Sequence, residues 1–405
     1  MRDISTNRIE VIDVLRGFTL LGIAWVHFTE QFLAGTPPES HASYNSVGLI
    51  DNITNGFVGI FVAGKFFMIF SFLFGLSFYL QMENKAGGHA LTRFAWRLVL
   101  LFGIGFVHHV HYRGDILTIY AVLGFALLLA QHLPDRIVFV ASLMLIFNLP
   151  SVVMRLVEQF QLPADGTAAV NPFTGEGDAD NQRYWDAVTS GNYRALVMAN
   201  GQQFIPKFLF QVGSGRLYIT LGLFLLGLLA GRRHVFLDLE NNTRQFKKFI
   251  RLSLWMLLGA ILLALIFFGG AHVMGITLPT YVQWSVGGLA YDGFNASLAL
   301  LYLSSLVLLF LKPRWQPRLH AFYEVGRMGL TTYLTQTLIG FFIFFGLGLN
   351  LLGQVGATAG LVIGTVLFVL QIFLSKWWLS RYQYGPVEWF WRSLTYWRWQ
   401  PFRKG

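Results

Sequence analysis

The sequence predicts an all-α, polytopic membrane helix bundle of about ten transmembrane helices, one domain over residues 1–405 with both termini cytoplasmic. Three observations carry this. Of 405 residues, 55% are hydrophobic and 12% charged, with mean hydropathy +0.54, too apolar for a soluble chain of this length. Runs long enough to cross about 30 Å of hydrocarbon fall near residues 12–33, 56–82, 96–112, 115–132, 136–156, 207–231, 250–270, 290–311, 328–349 and 357–380. The connections near 83–95, 232–249 and 312–320 carry Lys85, Arg93, Arg232, Arg233, Arg244, Lys247, Lys248, Lys312, Arg314 and Arg318, whereas those near 34–55, 271–289 and 350–356 carry no Lys or Arg. That asymmetry assigns the basic set, with Arg398, Arg403 and Lys404, to the cytoplasmic face.

The same charge pattern limits the function classes. A net charge of +10 in a soluble protein would suggest nucleic acid, but here basic membrane-facing loops account for it, and no nucleic-acid partner is expected. The chain has no cysteine, so disulfides, thiolate nucleophiles and cysteine-ligated metals are excluded. The start MRDISTNRIEVID is too polar for a signal peptide and leads directly into the first span, which should stay attached.

The first span carries Asp13, Arg16 and His27 in an apolar context. Arg16 and His27 are eleven residues apart, about three helical turns and ~16 Å along the axis. Asp13 falls on the same stripe, three residues before Arg16. Ionisable groups at such depth mark a functional site by default.

Lys65 in the second span and Arg216 in the sixth are also embedded, and each needs a partner or water. Glu30, Asp115 and Asp292, near the outer face, are candidate partners, and a structural ion pair competes with an anion-binding role. The third span repeats the eleven-residue spacing between Arg97 and His108, so His27 and His108 should lie at similar depth. His109, His111, Tyr112, Arg113, Gly114 and Asp115 follow in a turn that makes the third and fourth spans an antiparallel hairpin. The HxxH pair of His108 and His111 lacks an accompanying Glu, and no metal is expected. Interfacial solvation is the simpler account of His109 and His111.

The segment 157–206 should be extracytoplasmic, with one or two amphipathic helices laying Tyr184, Trp185 and Tyr193 on the membrane, as a connector or as a lid. In the ninth span, Glu324 and Arg327 begin a polar face continued by Thr331, Thr332, Tyr333 and Gln336. After the tenth span, Gly385-Pro386 ends the helix, and residues 381–405 read as an interfacial cytoplasmic tail in which Val387 to Thr395 restart a short amphipathic helix.

Four motifs in order, RIEVIDVLRGFTLLGIAWVHF, KFFMIFSFLFG with GFVHHVHYRGDILTIYAVLG, GRMGLTTYLTQTLI, and YGPVEWFWRSLTY, resemble the YeiB-type family of bacterial inner-membrane proteins, a family of unknown function. The resemblance covers nearly the whole chain and implies a multi-pass protein of the inner membrane. The first helix is in turn similar to the wider transmembrane acyltransferase superfamily, in whose sugar O-acyltransferases an arginine and a histidine in the first span are essential; Arg16 and His27 match that pattern.

The resemblance implies acyl transfer, acetyl above all, from acyl-CoA or acetyl-CoA at the cytoplasmic side to a hydroxyl or amine acceptor near the outer leaflet. The donor is then a substrate, and the partners are the bilayer, a small-molecule or glycan acceptor and, in one arrangement, a second copy in a homodimer. His27 is the first candidate base and His108 the second. Asp13, Arg16, Lys65, Asp115, Arg216, Arg327 and Gln336 are the candidate substrate or donor ligands, with Arg232 and Arg233 explained as well by a solvated basic loop. A transporter or flippase of a small anion or lipid needs the same polar path, and a non-catalytic scaffold needs only internal pairing.

Overall fold

The computed structural model describes residues 9–83, 90–161 and 177–404. Lys85, residues 162–176 of the expected extracytoplasmic segment and the first eight residues lie outside that set. The described residues are helical apart from turns and one isolated bridge between Tyr382 and Arg403.

The bundle is organised around α1 (Glu10–Thr29), the most buried of six helices long and apolar enough to cross a membrane. Two more candidate crossings are bent helix pairs, giving six to eight among the described residues. Next come α2 (Leu49–Phe57) and α3 (Phe66–Glu83), joined through a π-turn at Val58–Val62 and Gly64 at positive φ. The hairpin α4 (Ala90–His109) and α5 (Leu117–Ala130) follows as expected, α5 being shorter than a full crossing.

Two runs that the sequence suggests are continuous are broken. The run 136–156 divides into α6 (Asp135–Ile146) and α7 (Leu149–Gln161), bent by 57° where Asn148 adopts positive φ. The run 207–231 bends by 71° between the stretch Tyr193–Gly213 and Arg216–Arg232. Gly215, at φ 77°, makes that bend, and a side chain there would strike the Asn148 amide.

The segment before that bend holds α8 (Asp178–Thr189), α9 (Tyr193–Gln202) and α10 (Phe204–Gly213), leading into α11 (Arg216–Arg232). Tyr184 and Trp185 do not lie on the membrane. They are buried with Phe32, Leu33, Tyr112 and Phe344, so α8 caps one end of the core, while Tyr193 is exposed. Burying these large rings against other apolar side chains gains more than leaving them at an interface that also keeps them partly wet.

The long α12 (Leu239–Ala264) packs on α13 (Thr280–Phe310) and turns Leu252, Trp255, Leu258 and Ile261 outward. The short α14 (Tyr323–Arg327) presses backbone to backbone on α1: a Cβ at Gly326 would lie 1.8 Å from the Asp13 carbonyl oxygen. Only glycine allows that approach, and it sets Arg327 beside the start of α1. Then come α15 (Gly329–Phe344), α16 (Ala357–Arg381) and α17 (Pro386–Tyr396). The tail helix does not merely float at an interface. Trp96 donates to the Leu394 carbonyl, Trp391 donates to the Arg97 carbonyl, and Glu388 accepts the N–H groups of Leu330 and Thr331, capping α15 from another helix.

Candidate functional site

A cavity of about 1840 Å3 follows α1 from one end to the other. Ile9, Asp13, Arg16, Leu20, Ile23, His27 and Glu30 line it, a run of three- and four-residue steps, so a single face of the helix forms one wall. The stripe expected to carry Asp13, Arg16 and His27 is therefore one surface facing one space.

At the end where α1 begins, the wall is basic. Arg16 is held by Asp13 at 2.7 Å and also donates to the Ser77 hydroxyl. Arg97, Arg327 and Arg392 line the same mouth with Glu388. Arg97 stacks on Trp391, Arg327 reaches the Gln383 carbonyl at 3.4 Å, and Arg392 lies over Tyr384 and Tyr396. The Nε atoms of Arg327 and Arg392 are buried with no hydrogen-bond acceptor among the described residues, which leaves them suited to an anionic group.

At the other end, His27 faces the cavity with Tyr112 at 2.7 Å from its Nδ1 and Phe32 stacked on its ring. Its Nε2 has no hydrogen-bond partner among the described residues. When Nδ1–H donates to the Tyr112 oxygen, the Nε2 lone pair is directed to the cavity, the form a general base requires.

His108 lies at comparable depth but behind the wall, and is not among the lining residues. Its Nδ1 is 2.9 Å from Asp115 and its Nε2 2.9 Å from the Thr337 hydroxyl, so both ring nitrogens are occupied. Asp115, in the turn between α4 and α5, also accepts from the N–H groups of Leu117 and Thr118, from the Thr118 hydroxyl and from Lys207. Lys207 completes the network at 2.7 Å from Thr118 and 3.2 Å from His109 Nδ1. His109 is thus buried and partnered rather than solvated, while His111 pairs with the Val107 carbonyl and Tyr193.

The remaining sequence candidates divide. Arg216 faces the outer part of the cavity. Lys65 does not line it; its ammonium donates to the Gly59 and Ala63 carbonyls, at 3.0 and 2.8 Å, satisfying backbone groups left over by the break before α3. Gln336 is packed between helices, donating to Gln371 at 3.0 Å, and Gln371 donates to the Thr332 carbonyl and Thr335. Neither side chain lines the cavity: the Lys65 ammonium is engaged by backbone carbonyls, and Gln336 is engaged through Nε2, its Oε1 being buried without a hydrogen-bond partner among the described residues. Arg232 bonds Asp135 and the carbonyls of Ala130, Gln131 and Leu133, with Arg233 3.6 Å from Asp135, so both tie helix ends together. Lys207, Thr337 and Glu388 had not been singled out from sequence. The signal for Lys207 was present: a lone lysine nine residues before Arg216 in an apolar stretch.

A family model described as "Protein of unknown function (DUF418)" matches residues 230–398. Over nearly its full length the chain is similar to the uncharacterized protein YxaH of Bacillus subtilis, 28% identical with 99% of this chain and 97% of the relative covered. It is 25% identical to an uncharacterized 39.9 kDa protein from the amylase 3' region of Bacillus acidopullulyticus, covering 96% and 94%. It is also 27% identical to the uncharacterized protein YeiB of Escherichia coli, covering 95% of each chain. The motif resemblance to the YeiB-type proteins is matched by these similarities, which run over nearly the whole chain, and by the DUF418 model over its C-terminal part.

Proposed function

We propose that this protein is a membrane acyltransferase-like enzyme of the bacterial inner membrane, moving an acyl group, acetyl first, from acyl-CoA at the cytoplasmic side to a hydroxyl or amine acceptor near the outer leaflet. One observation carries the reading: a single cavity joins an arginine-lined mouth to a histidine about 16 Å further along the same helix face. Arg327, Arg392 and Arg97, with Arg16 beside them, are disposed to hold the coenzyme phosphates. The thioester then reaches toward His27. His27 Nε2 takes the acceptor proton as the acceptor oxygen or nitrogen attacks the thioester carbonyl; the C–S bond breaks and the proton passes to the leaving thiolate. Arg216 lines the outer end of the same cavity, where it would meet an anionic group of the acceptor.

The bilayer arrangement belongs to the same proposal. The six long helices, the two bent pairs and the short apolar α5 and α15 together make ten crossings, with the arginine mouth and both termini in the cytoplasm. The chain has no native cysteine, so single cysteines placed in the 312–320 and 350–356 connections report sidedness directly by labelling in intact cells. Labelling of the first and protection of the second from an impermeant reagent would contradict this orientation.

A transporter of a small anion or lipid is the second reading, favoured by the interrupted helices around Gly64 and Gly215, which resemble the discontinuous helices of carriers. The two separate on one assay. Purified protein given radiolabelled acetyl-CoA and a membrane extract should move label into an acceptor, and His27→Ala should stop it. Uptake of an anion into proteoliposomes without any label transfer would favour transport.

A further inference from the structure

Glu30 stands one turn beyond His27 on the cavity face of α1. Its carboxylate has no hydrogen bond and no ion pair among the described residues; only its backbone is engaged, the carbonyl accepting from Tyr44. Arg216, the first residue of α11, lines the same end of the cavity. Its guanidinium lies 5.6 Å from the Phe210 ring and likewise has no hydrogen bond or ion pair among the described residues. The two line the same end of the cavity without a hydrogen bond or ion pair between them among the described residues.

The neighbouring charged groups have other hydrogen-bond partners. Lys207 is committed to Asp115, Thr118 and His109, and Arg113 donates to the Leu33 carbonyl while stacking on Tyr184 at 3.6 Å. Asp292, within electrostatic range of Arg216, accepts from the Asn148 amide.

Opposite charges inside a helix bundle lower their free energy by closing into a pair. Here the backbone holds them apart. Gln31, next to Glu30, is clamped by the Gly353 N–H and the Val355 carbonyl, both at 2.8 Å. Arg216 is fixed by the bend at Gly215, which sits against Asn148.

We propose that the outer end of the cavity binds a zwitterion, with Glu30 taking an ammonium group and Arg216 a phosphate or carboxylate of the same molecule. The proposal rests on the acyl-transfer reading for its chemistry: the ligand is the acceptor. Its ammonium sits one helical turn from His27 and first releases one proton to solvent in the cavity; the free amine nitrogen then attacks the acyl carbon while His27 Nε2 takes its second proton, the C–S bond breaks, and the thiolate leaves with that second proton as the amide forms.

Binding is measured without any donor, so its failure is distinct from failure of acyl transfer. Glycerophosphoethanolamine is titrated calorimetrically into the detergent-purified full-length protein, with ethanolamine and glycerol phosphate as single-charge probes. The expected result is saturable binding of the zwitterion, weakened about tenfold or more by Glu30→Gln and by Arg216→Gln. Glu30→Gln should spare glycerol phosphate and Arg216→Gln should spare ethanolamine. Arg216→Lys, which keeps the charge, should retain most of the affinity and guards against a folding artefact. Repeating the titration in phosphatidylethanolamine and phosphatidylglycerol nanodiscs distinguishes sources: competition by the first lipid marks a headgroup site, and equal affinity marks a free ligand. No saturable binding, or affinity unchanged in both neutral variants, would overturn the proposal.

Discussion

His27 and His108 occupy equivalent places in their helices, each eleven residues after an arginine, and the bundle uses them in opposite ways. His27 stands on the cavity wall with one ring nitrogen held by Tyr112. His108 stands behind the wall with Asp115 on one nitrogen and Thr337 on the other. A histidine with both nitrogens engaged orders the helices that hold its partners; one with a nitrogen turned to a cavity is able to exchange a proton with whatever enters. Depth alone does not distinguish a base from a strut. The groups bonded to each ring nitrogen do.

Substitutions break this comparison in a definite order. His27→Ala should lower acyl transfer by about 10²–10⁴-fold while leaving the melting temperature near wild type, read by label transfer and thermal unfolding in detergent. His108→Ala should act on stability, lowering it by about 2–4 kcal/mol because it leaves the Asp115 carboxylate and the Thr337 hydroxyl inside the bundle without their partner. His108→Asn, which still offers Asp115 an N–H donor, should recover part of that loss. Tyr112→Phe removes the hydroxyl that fixes the His27 tautomer and should cost about tenfold in rate with little change in melting.

The smallest effect concerns Glu388, on α17 outside the crossing helices. Burial raises its carboxyl above the ordinary value, and hydrogen bonds from Thr331 and Leu330 pull it back only in part. A raised folded value means that the native state keeps the proton longer than the unfolded chain. Its contribution is therefore full below the unfolded value and is lost as pH rises through the folded one. Melting curves from weakly acid to neutral pH should show wild type losing stability relative to Glu388→Gln, which retains an acceptor for the Leu330 and Thr331 N–H groups, by less than about 1 kcal/mol.

The α1 stripe was legible because helical period is local: Asp13, Arg16 and His27 had to share a face wherever the helix was placed. The role of His108 was not, since it depends on Thr337, 229 residues away. The partners of Lys65 were not legible for a related reason. Its partners are carbonyls freed by a break in its own helix, and hydropathy records the length of an apolar run without its bends. The same blindness hid the divisions at Asn148 and Gly215. Lys207 was overlooked as the edge of such a run, although the 71° bend after α10 turns it back onto Asp115. Tyr184 and Trp185 lie on the helix α8, but what their face covers, Tyr112 and Phe344, comes from distant parts of the chain.

The most direct test of the account is calorimetric titration of acetyl-CoA and free coenzyme A into the purified protein, repeated with Arg16→Ala and His27→Ala. Saturable binding should weaken about tenfold or more with Arg16→Ala and survive His27→Ala, if the arginine mouth holds the donor and the histidine acts on the acceptor. Absence of binding at millimolar donor, or loss of binding only with His27→Ala, would contradict it.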